Sequence, residues 1–546
     1  MSTKCREPRP TRRAFLALLG AMPAACSFPA ALRPRRCLGA PAADGTCREL
    51  LWSYNSLQYC RARVLHPRDE GELIAMLRQV ADAGHKLTIR GGGASLDTQS
   101  LTGDTVVTLD APAFTDVSIH RAPNGEVRFT AGAGAMWGDV LRALRARGLV
   151  PYAAPSASYI RVGGGFAANS FSRMTTRWGR EERYIRAFTL ITVGGTRLEC
   201  APDAAEPRAR QVWDAAPGAL GYLGVVTSVT YAARPLPGAH AVHTHYTVSE
   251  LPDDERSASY QAELDAFFNA LFEASTVLES ATTLGDVPDT AARNDGVYGT
   301  IWWTRGLTPR LRTLLAKVRY DPQPPPDAHR GLLNRRDDFV RIYGEYAMTQ
   351  PGGESSVQNL NFLDARCAPD SWDPIEDFAF FQDADLRAKL EAEPFWRMTS
   401  AEQAYCIPKR GQREFLRVID DTVRLYDHFP TLVDLLYAPK DARATPLPLS
   451  ATKDGGALVF TLAYLDRNGE RWSCTRQVYR TLAAHCARLG GRVYLAKTVE
   501  VEPEDMRTMW GDGVRALVDL KLALDPRNVL VNEFWREKLL PAASEA

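Results

Sequence analysis

Lys86-Leu87-Thr88-Ile89-Arg90-Gly91-Gly92-Gly93-Ala94-Ser95 reads as a β-strand that runs straight into three glycines. Two further glycine-rich loops follow it. One is Val162-Gly163-Gly164-Gly165-Phe166-Ala167-Ala168-Asn169, and the other is Gly218-Ala219-Leu220-Gly221-Tyr222-Leu223-Gly224-Val225-Val226. Glycine lets the backbone take positive φ and come close to a ligand. Successive N–H groups can then form a concave nest for anionic oxygens, and a pyrophosphate is a natural occupant. A single glycine run is more often a turn, but three in this order and spacing argue for a phosphate site. A Rossmann site competes at Gly132-Ala133-Gly134, which follows a strand and precedes a helix. It fails because Trp137 stands where the third glycine would allow close helix–strand packing.

Around these loops, short β-rich runs alternate with helical ones. Asp69 is placed to cap a helix that begins Glu70-Gly71-Glu72-Leu73. Thr105–Leu109 and Val127–Thr130 read as strands, and Trp137–Arg147 reads as an amphipathic helix stopped by Gly148. Residues 238–475 differ in character. They are rich in aromatics (Trp302, Trp303, Tyr343, Tyr346, Phe378, Phe380, Phe381, Phe395, Trp396), and most of these read as core. Alternating runs at Val297–Trp303 and Ala457–Tyr464 predict an antiparallel sheet, and Pro322–Pro326 a loop. Residues 476–546 read as helix, the short strand Arg492–Lys497, helix, and a turn at Leu524–Asn528.

Length and composition set the outer bounds. A chain of 546 residues is too long for one ordinary core. A formal charge of +1, with the arginines dispersed among acids, argues against nucleic acid as a partner. The N-terminus is basic, then apolar from Leu16 to Ala25, then small, which is the pattern of an export signal. Arg12-Arg13 ahead of Phe15-Leu16 resembles the twin-arginine type, so residues 1–42 are expected to be a signal and linker directing the protein to the periplasm. The apolar run is too short to span a bilayer, and peripheral membrane association stays open. The 10 cysteines contain no CxxC pair, which leaves a metal site unsupported; Cys47 with Cys60 is a conceivable disulfide, and free thiols are the alternative.

From Arg63-Val64-Leu65-His66-Pro67, through the first glycine loop, Ala131–Ala135 and Val162-Gly163-Gly164, to Gly224-Val225-Val226, the chain resembles the FAD domain of the vanillyl-alcohol-oxidase / p-cresol-methylhydroxylase family. The resemblance implies an α+β fold. A two-lobed FAD-binding domain of the p-cresol-methylhydroxylase type would span residues 60–237, and a substrate domain with an antiparallel sheet and flanking helices would follow. It implies cofactor contacts at Arg90, Gly91, Gly92, Gly93, Ala94 and Ser95 for the pyrophosphate. Pro155, Val162, Gly163, Gly164, Ala168, Asn169, Gly224, Val225 and Val226 would hold the rest of the nucleotide. Members with covalent flavin often carry histidine at the place of Ala94 and cysteine within the stretch matching Pro155–Ile160. Neither is present, so FAD is expected to be held without a covalent bond.

The C-terminal runs Gly490–Lys497, Met509-Trp510 and Asp525–Leu530 resemble the decaprenylphosphoryl-ribose 2′-oxidase branch of that family. The resemblance puts Lys497 at flavin and substrate, with Tyr494 touching the flavin. Glu402 and Tyr405 are candidate polar groups of the substrate pocket, and Phe171 stands where that branch has histidine. Tyr494 and Lys497 are an odd number of positions apart, so both can line a site only if their strand bends or ends. The implied reaction is oxidation of a small-molecule alcohol (a sugar, polyol or relative). Hydride would pass to flavin N5 while Lys497 stabilises negative charge or acts as base. Oxygen or a quinone would take the electrons. A reductase or dehydrogenase acting on C=C or C–N, and a non-catalytic flavin-binding protein, are the alternatives.

Overall fold

The structure, a computed structural model, describes residues 48–280, 294–303, 310–330, 371–383 and 398–543, the last run without 444, 446, 468 and 470. The signal with Arg12 and Arg13, Cys47 of the conceivable disulfide, and the aromatics Tyr343, Tyr346, Phe395 and Trp396 lie outside the described residues. Among the described residues no helix is long and apolar enough to cross a membrane.

The glycine-ended strand belongs to a small first lobe. Its elements are β1 (Glu49–Trp52), β2 (Tyr59–Leu65), α1 (Glu70–Asp82), β3 (Leu87–Ile89) and β4 (Thr105–Val107). The strand order is β1-β2-β4-β3. β2, β4 and β3 run parallel and β1 lies antiparallel at the edge, so the lobe starts before Cys60. The Asp69 side chain accepts from Glu72 N at 2.8 Å, the expected cap. Leu73, Leu77 and Val80 recur at helical spacing and are the face α1 buries.

The second lobe is antiparallel. β5 (Val117–Arg121), β6 (Val127–Gly132), β8 (Ile185–Ile191), β9 (Arg197–Cys200) and β10 (Val225–Pro235) run in the order β5-β6-β10-β8-β9, with β7 (Leu149–Pro151) paired to β10. α2 (Trp137–Arg145) buries Trp137, Val140, Leu141 and Leu144. The second glycine run, expected as a loop, is a short helix, α3 (Val162–Ala168). Its glycines serve close packing. A Cβ on Gly163 would lie 3.0 Å from Ala133 Cβ, and one on Gly165 would lie 2.7 Å from Glu181 Oε1.

Among the described residues the remaining strands build one nine-stranded sheet. They are β11 (His240–Glu250), β12 (Gly296–Trp303), β13 (Leu311–Asp321), β14 (His329–Arg330), β15 (Ser371–Pro374), β16 (Met398–Pro408), β17 (Leu432–Ala438), β18 (Ala457–Arg467) and β19 (Arg492–Val493). The order is β14-β15-β11-β13-β12-β17-β18-β16-β19, antiparallel except for the β14/β15 pair. Trp302 and Trp303 are fully buried, as expected of core aromatics. α4 (Ala258–Ser280), α5 (Gln412–Leu425) and α6 (Trp472–Arg488) cover one face, where Phe268, Phe415 and Phe460 meet.

The strand expected at Arg492–Lys497 is only two residues long. Beyond α7 (Pro503–Leu524), Asp525 turns the chain by accepting from Val529 N and Leu530 N, both at 2.9 Å. Leu530 then bridges Leu87 in parallel, so the C-terminus closes the first lobe.

Candidate active site

Two adjoining cavities lie where the two lobes meet each other and the bare face of the large sheet. The smaller, about 90 Å³, is bounded by Arg90, Gly134, Gly163, Gly221, Gly224 and Val226. The larger, about 340 Å³, is bounded by Gly92, Gly93, Ala94, Ser95, Pro155 and Ala168 on one side, and by Glu402, Tyr494 and Lys497 on the other. That size is ordinary for a small-molecule site. Ile89, Gly91, Arg161, Gly164, Ala167 and Leu220 border both, so the two form one cleft.

Most of the expected cofactor residues therefore converge. Three stand behind the wall and do not line it. Val162 and Val225 are fully buried core residues. Asn169 ends α3 at φ 45°, and its Oδ1 accepts from Glu182 N at 3.1 Å. Arg90 spends its guanidinium on Trp52 O (2.7 Å) and Ser100 Oγ (3.1 Å), which leaves it a structural brace as much as a ligand.

The cleft suits a dinucleotide. Its narrow part is walled by backbone, and a Cβ on Gly134 would collide with Leu109 O. Arg161 lies on both cavities with its Nε buried and unpartnered, while its other end donates to Leu109 O at 2.7 Å. An anion beside Arg161 would satisfy that Nε. The sequence reading missed Arg161.

Tyr494 and Lys497 share the cavity because their strand ends. Tyr494 N donates to Ala404 O (2.8 Å) and Thr498 N donates to Glu402 O (2.9 Å), so four steps of chain lie opposite two steps of β16. The excess bulges toward the cleft and re-aims its side chains, as a bulge does. Gln99 holds the bulge by donating to Leu495 O (2.9 Å) and Lys497 O (2.7 Å). Lys497 Nζ pairs with Glu402 Oε2 inside the cavity. Tyr494 donates to Ala168 O at 2.9 Å and packs on Phe171, and burial pushes its phenol well above the ordinary value. It works as a neutral brace.

Alternation on β16 separates the two other candidates. Glu402 faces the cavity. Tyr405 faces the helices, fully buried, and donates to Tyr479 O at 3.0 Å; it is not a pocket residue. The same cavity face carries groups the sequence reading did not pick. Thr300 on β12, Asp434 on β17 and Thr461 on β18 are cross-strand neighbours, and Thr300 Oγ1 donates to Asp434 Oδ1 at 3.3 Å. A lone acid inside the apolar run Leu432–Ala438 was the signal for Asp434. Burial pushes its carboxyl up, while the charges of Arg173 and Lys497 pull it down. His243 bonds Ser371 Oγ at 2.9 Å, and burial with the Arg173 charge lowers it to about 4, so it is neutral at pH 7. His66 and His85 pair with Asp110 and Asp104, outside both cavities. Among the described residues no group of three His, Cys, Asp or Glu could hold a metal.

Behind α3, Glu181 is fully buried and bonded by Tyr231 Oη at 3.0 Å, and burial pushes its carboxyl up to about 8 despite that bond. The folded protein then holds this proton more tightly than the unfolded chain does. Stability is expected to fall as pH rises from the ordinary value of 4.5 toward 8. Glu181→Gln should flatten that part of the curve of melting temperature against pH. A wild-type slope kept unchanged in the variant would remove Glu181 as its source.

Comparison with known proteins agrees with this geometry. Residues 62–201 match the FAD binding domain family. The chain is similar to cytokinin dehydrogenase 1 of Oryza sativa subsp. japonica (29% identical over 180 residues, 32% of this chain and 33% of the relative). Cytokinin dehydrogenase 2 of the same plant is 29% identical over 201 residues, 34% of each chain. Cytokinin dehydrogenase 4 of Arabidopsis thaliana is 30% identical over 150 residues, 27% of this chain and 28% of the relative. These matches span about a third of the relatives' length. With the glycine-walled cleft between two lobes, they establish that the chain carries an FAD-binding domain of the vanillyl-alcohol-oxidase / p-cresol-methylhydroxylase family.

Proposed function

We propose that the protein is an exported FAD-dependent oxidoreductase that oxidises a CH–OH group of a sugar, polyol or related alcohol. The observation that carries this is the Lys497–Glu402 pair, which projects into the cavity continuous with the glycine-walled cleft. Arg161, Gly91–Gly93, Gly164 and Gly224 would hold FAD, which when bound supplies the hydride acceptor. The chain's own residues do the remaining work. Lys497 donates to the substrate oxygen and stabilises the negative charge that grows there. Glu402, held beside that oxygen by its ion pair, accepts the hydroxyl proton. Gln99 and Tyr494 keep the bulge in place, so Lys497 is positioned before substrate arrives.

FAD is held without a covalent bond, because Ala94 lies at the cavity wall and no cysteine occurs in 155–160. The electrons leave to oxygen or a quinone. Export rests on Arg12-Arg13; export of the folded Arg12→Lys/Arg13→Lys variant would remove the twin-arginine route. A second reading is dehydrogenation at a C–N bond, favoured by the similarity to cytokinin dehydrogenases.

One experiment separates these readings. Acid precipitation of the purified protein should release yellow colour to the supernatant; colour kept in the pellet means a covalent link. The intact protein is then titrated without oxygen against polyols, sugar acids, cytokinins and reduced nicotinamide. Bleaching by alcohols supports the first reading, and bleaching only by cytokinins the second. Bleaching only by nicotinamide indicates a reductase. No bleaching at all, in a yellow protein, leaves a flavin-binding protein without catalysis.

A further inference from the structure

Arg173 lies on the wall of the larger cavity, in the segment between α3 and β8. Its guanidinium carbon is 3.8 Å from the ring centre of Phe381 and 4.2 Å from that of Tyr298. Two aromatic faces thus clamp it, a placement a planar cation tolerates and an ammonium matches less well. The clamp fixes the plane of the group but leaves its edge of N–H donors unused. Among the described residues the guanidinium has neither a hydrogen-bond acceptor nor a carboxylate within ion-pair distance.

The neighbouring charges do not cancel it. Glu402 is engaged with Lys497, so that pair is neutral as a unit. Asp434 acts on Arg173 only at longer range, is bonded by Thr300, and is driven toward its protonated form by burial. His243 carries no charge at pH 7. Asp373, the remaining carboxylate of the wall, is fully buried on β15 and out of ion-pair reach of Arg173. Among the described residues Arg173 therefore stands on the cavity wall as a cation with no ion-pair partner.

We infer that Arg173 is the binding group for a carboxylate of the substrate, so that the compound oxidised at Lys497 is a hydroxy acid such as a sugar acid. A planar guanidinium held by its faces offers two parallel N–H donors, which is the geometry a carboxylate takes up in a bidentate pair. A neutral polyol would leave this cation unsatisfied. The inference rests on the alcohol-oxidising reading for its chemistry, but not for its binding step.

The test uses the FAD-loaded protein under anaerobic conditions. Dissociation constants are measured by calorimetry for gluconate, for the neutral counterpart glucitol, for glucose 6-phosphate and for propionate, which has no hydroxyl to oxidise. Gluconate and propionate should bind, and Arg173→Gln should weaken both by about 10- to 100-fold, the loss expected for a charge-assisted hydrogen bond. Glucitol binding should not change. Arg173→Lys keeps the charge without the fork and should recover part of the loss. Unchanged yellow colour and melting temperature show that the variants fold. Equal weakening of gluconate and glucitol, or glucose 6-phosphate bound in preference to both carboxylates, would overturn the inference. Carboxylate binding that depends on Arg173, with no bleaching by any alcohol, would overturn the alcohol reading and leave this one standing.

Discussion

Lys497→Met is expected to leave a folded, yellow protein whose flavin bleaches about 10²- to 10⁴-fold more slowly with substrate. Methionine keeps the length of the side chain and its apolar contacts but removes the cation that faces Glu402. The backbone of the bulge is held by Gln99, by Ala404 and by the Glu402 carbonyl, none of which needs the Lys497 side chain. Loss of rate without loss of colour is therefore the signature of a group acting on substrate. Stopped-flow bleaching without oxygen reads the step directly and avoids the electron acceptor. Glu402→Gln should slow the same step, and the double variant should cost no more than the worse single one, because the two act as a unit. Full additivity, or a Lys497→Met protein that bleaches at the wild-type rate, would mean that the pair is a structural ion pair that happens to face the cavity.

Asp441→Ala is expected to destabilise the protein by about 3–5 kcal/mol, the usual cost of breaking a buried ion pair from one side. Arg180 and Asp441 are 3% and 2% exposed and 2.5 Å apart. The Ser450 and Thr452 hydroxyls complete the cluster, at 2.5 and 2.7 Å from Arg180 Nη2. Burial by itself would push Asp441 up, yet the Arg180 charge and the two hydroxyls hold its carboxyl below the ordinary value. The cluster ties the segment after α3 to the loop between β17 and β18, and Arg180 also stacks on Phe171 at the cavity wall, 5.1 Å from the ring centre. Asp441→Ala should therefore release FAD as well as lower the urea midpoint. Arg180→Met/Asp441→Leu should recover much of the stability, because both charges of the pair go together and the nearby buried Glu182, which loses Arg180, keeps Arg443 as its ion-pair partner at 3.8 Å. A double variant as unstable as the single one would mean that the cluster specifies the packing between domains and does more than neutralise charge.

The FAD-binding part was legible from sequence to a large degree, and the reason is local. The strand that ends in Arg90-Gly91-Gly92-Gly93, the Asp69 cap and the helix beginning at Trp137 are written in nearest-neighbour preferences. The substrate side was less legible. Glu402 was found, but Tyr405 was placed beside it although alternation on β16 sends the two to opposite faces. Arg173, Asp434 and Thr300 come from three distant stretches, and only the assembled sheet puts them around one space. Gly163 and Gly164 border the cleft from a helix where a loop was expected, since a helix and a loop can both use glycine to let backbones approach.

By itself, then, the sequence determined the cofactor domain, its order of glycine runs and the residue types at Ala94 and Lys497, because those depend on backbone sterics and on single side chains. Only the tertiary structure decided that Tyr494 and Lys497 face one cavity. That outcome depends on a strand ending at Val493 and on four residues bulging against two, held by Gln99 from the first lobe. It also decided that Arg173 has no ion-pair partner among the described residues. Whether a cation is paired is settled by what folding brings within about 4 Å of it, and that is a property of long-range packing with no trace in the neighbouring residues.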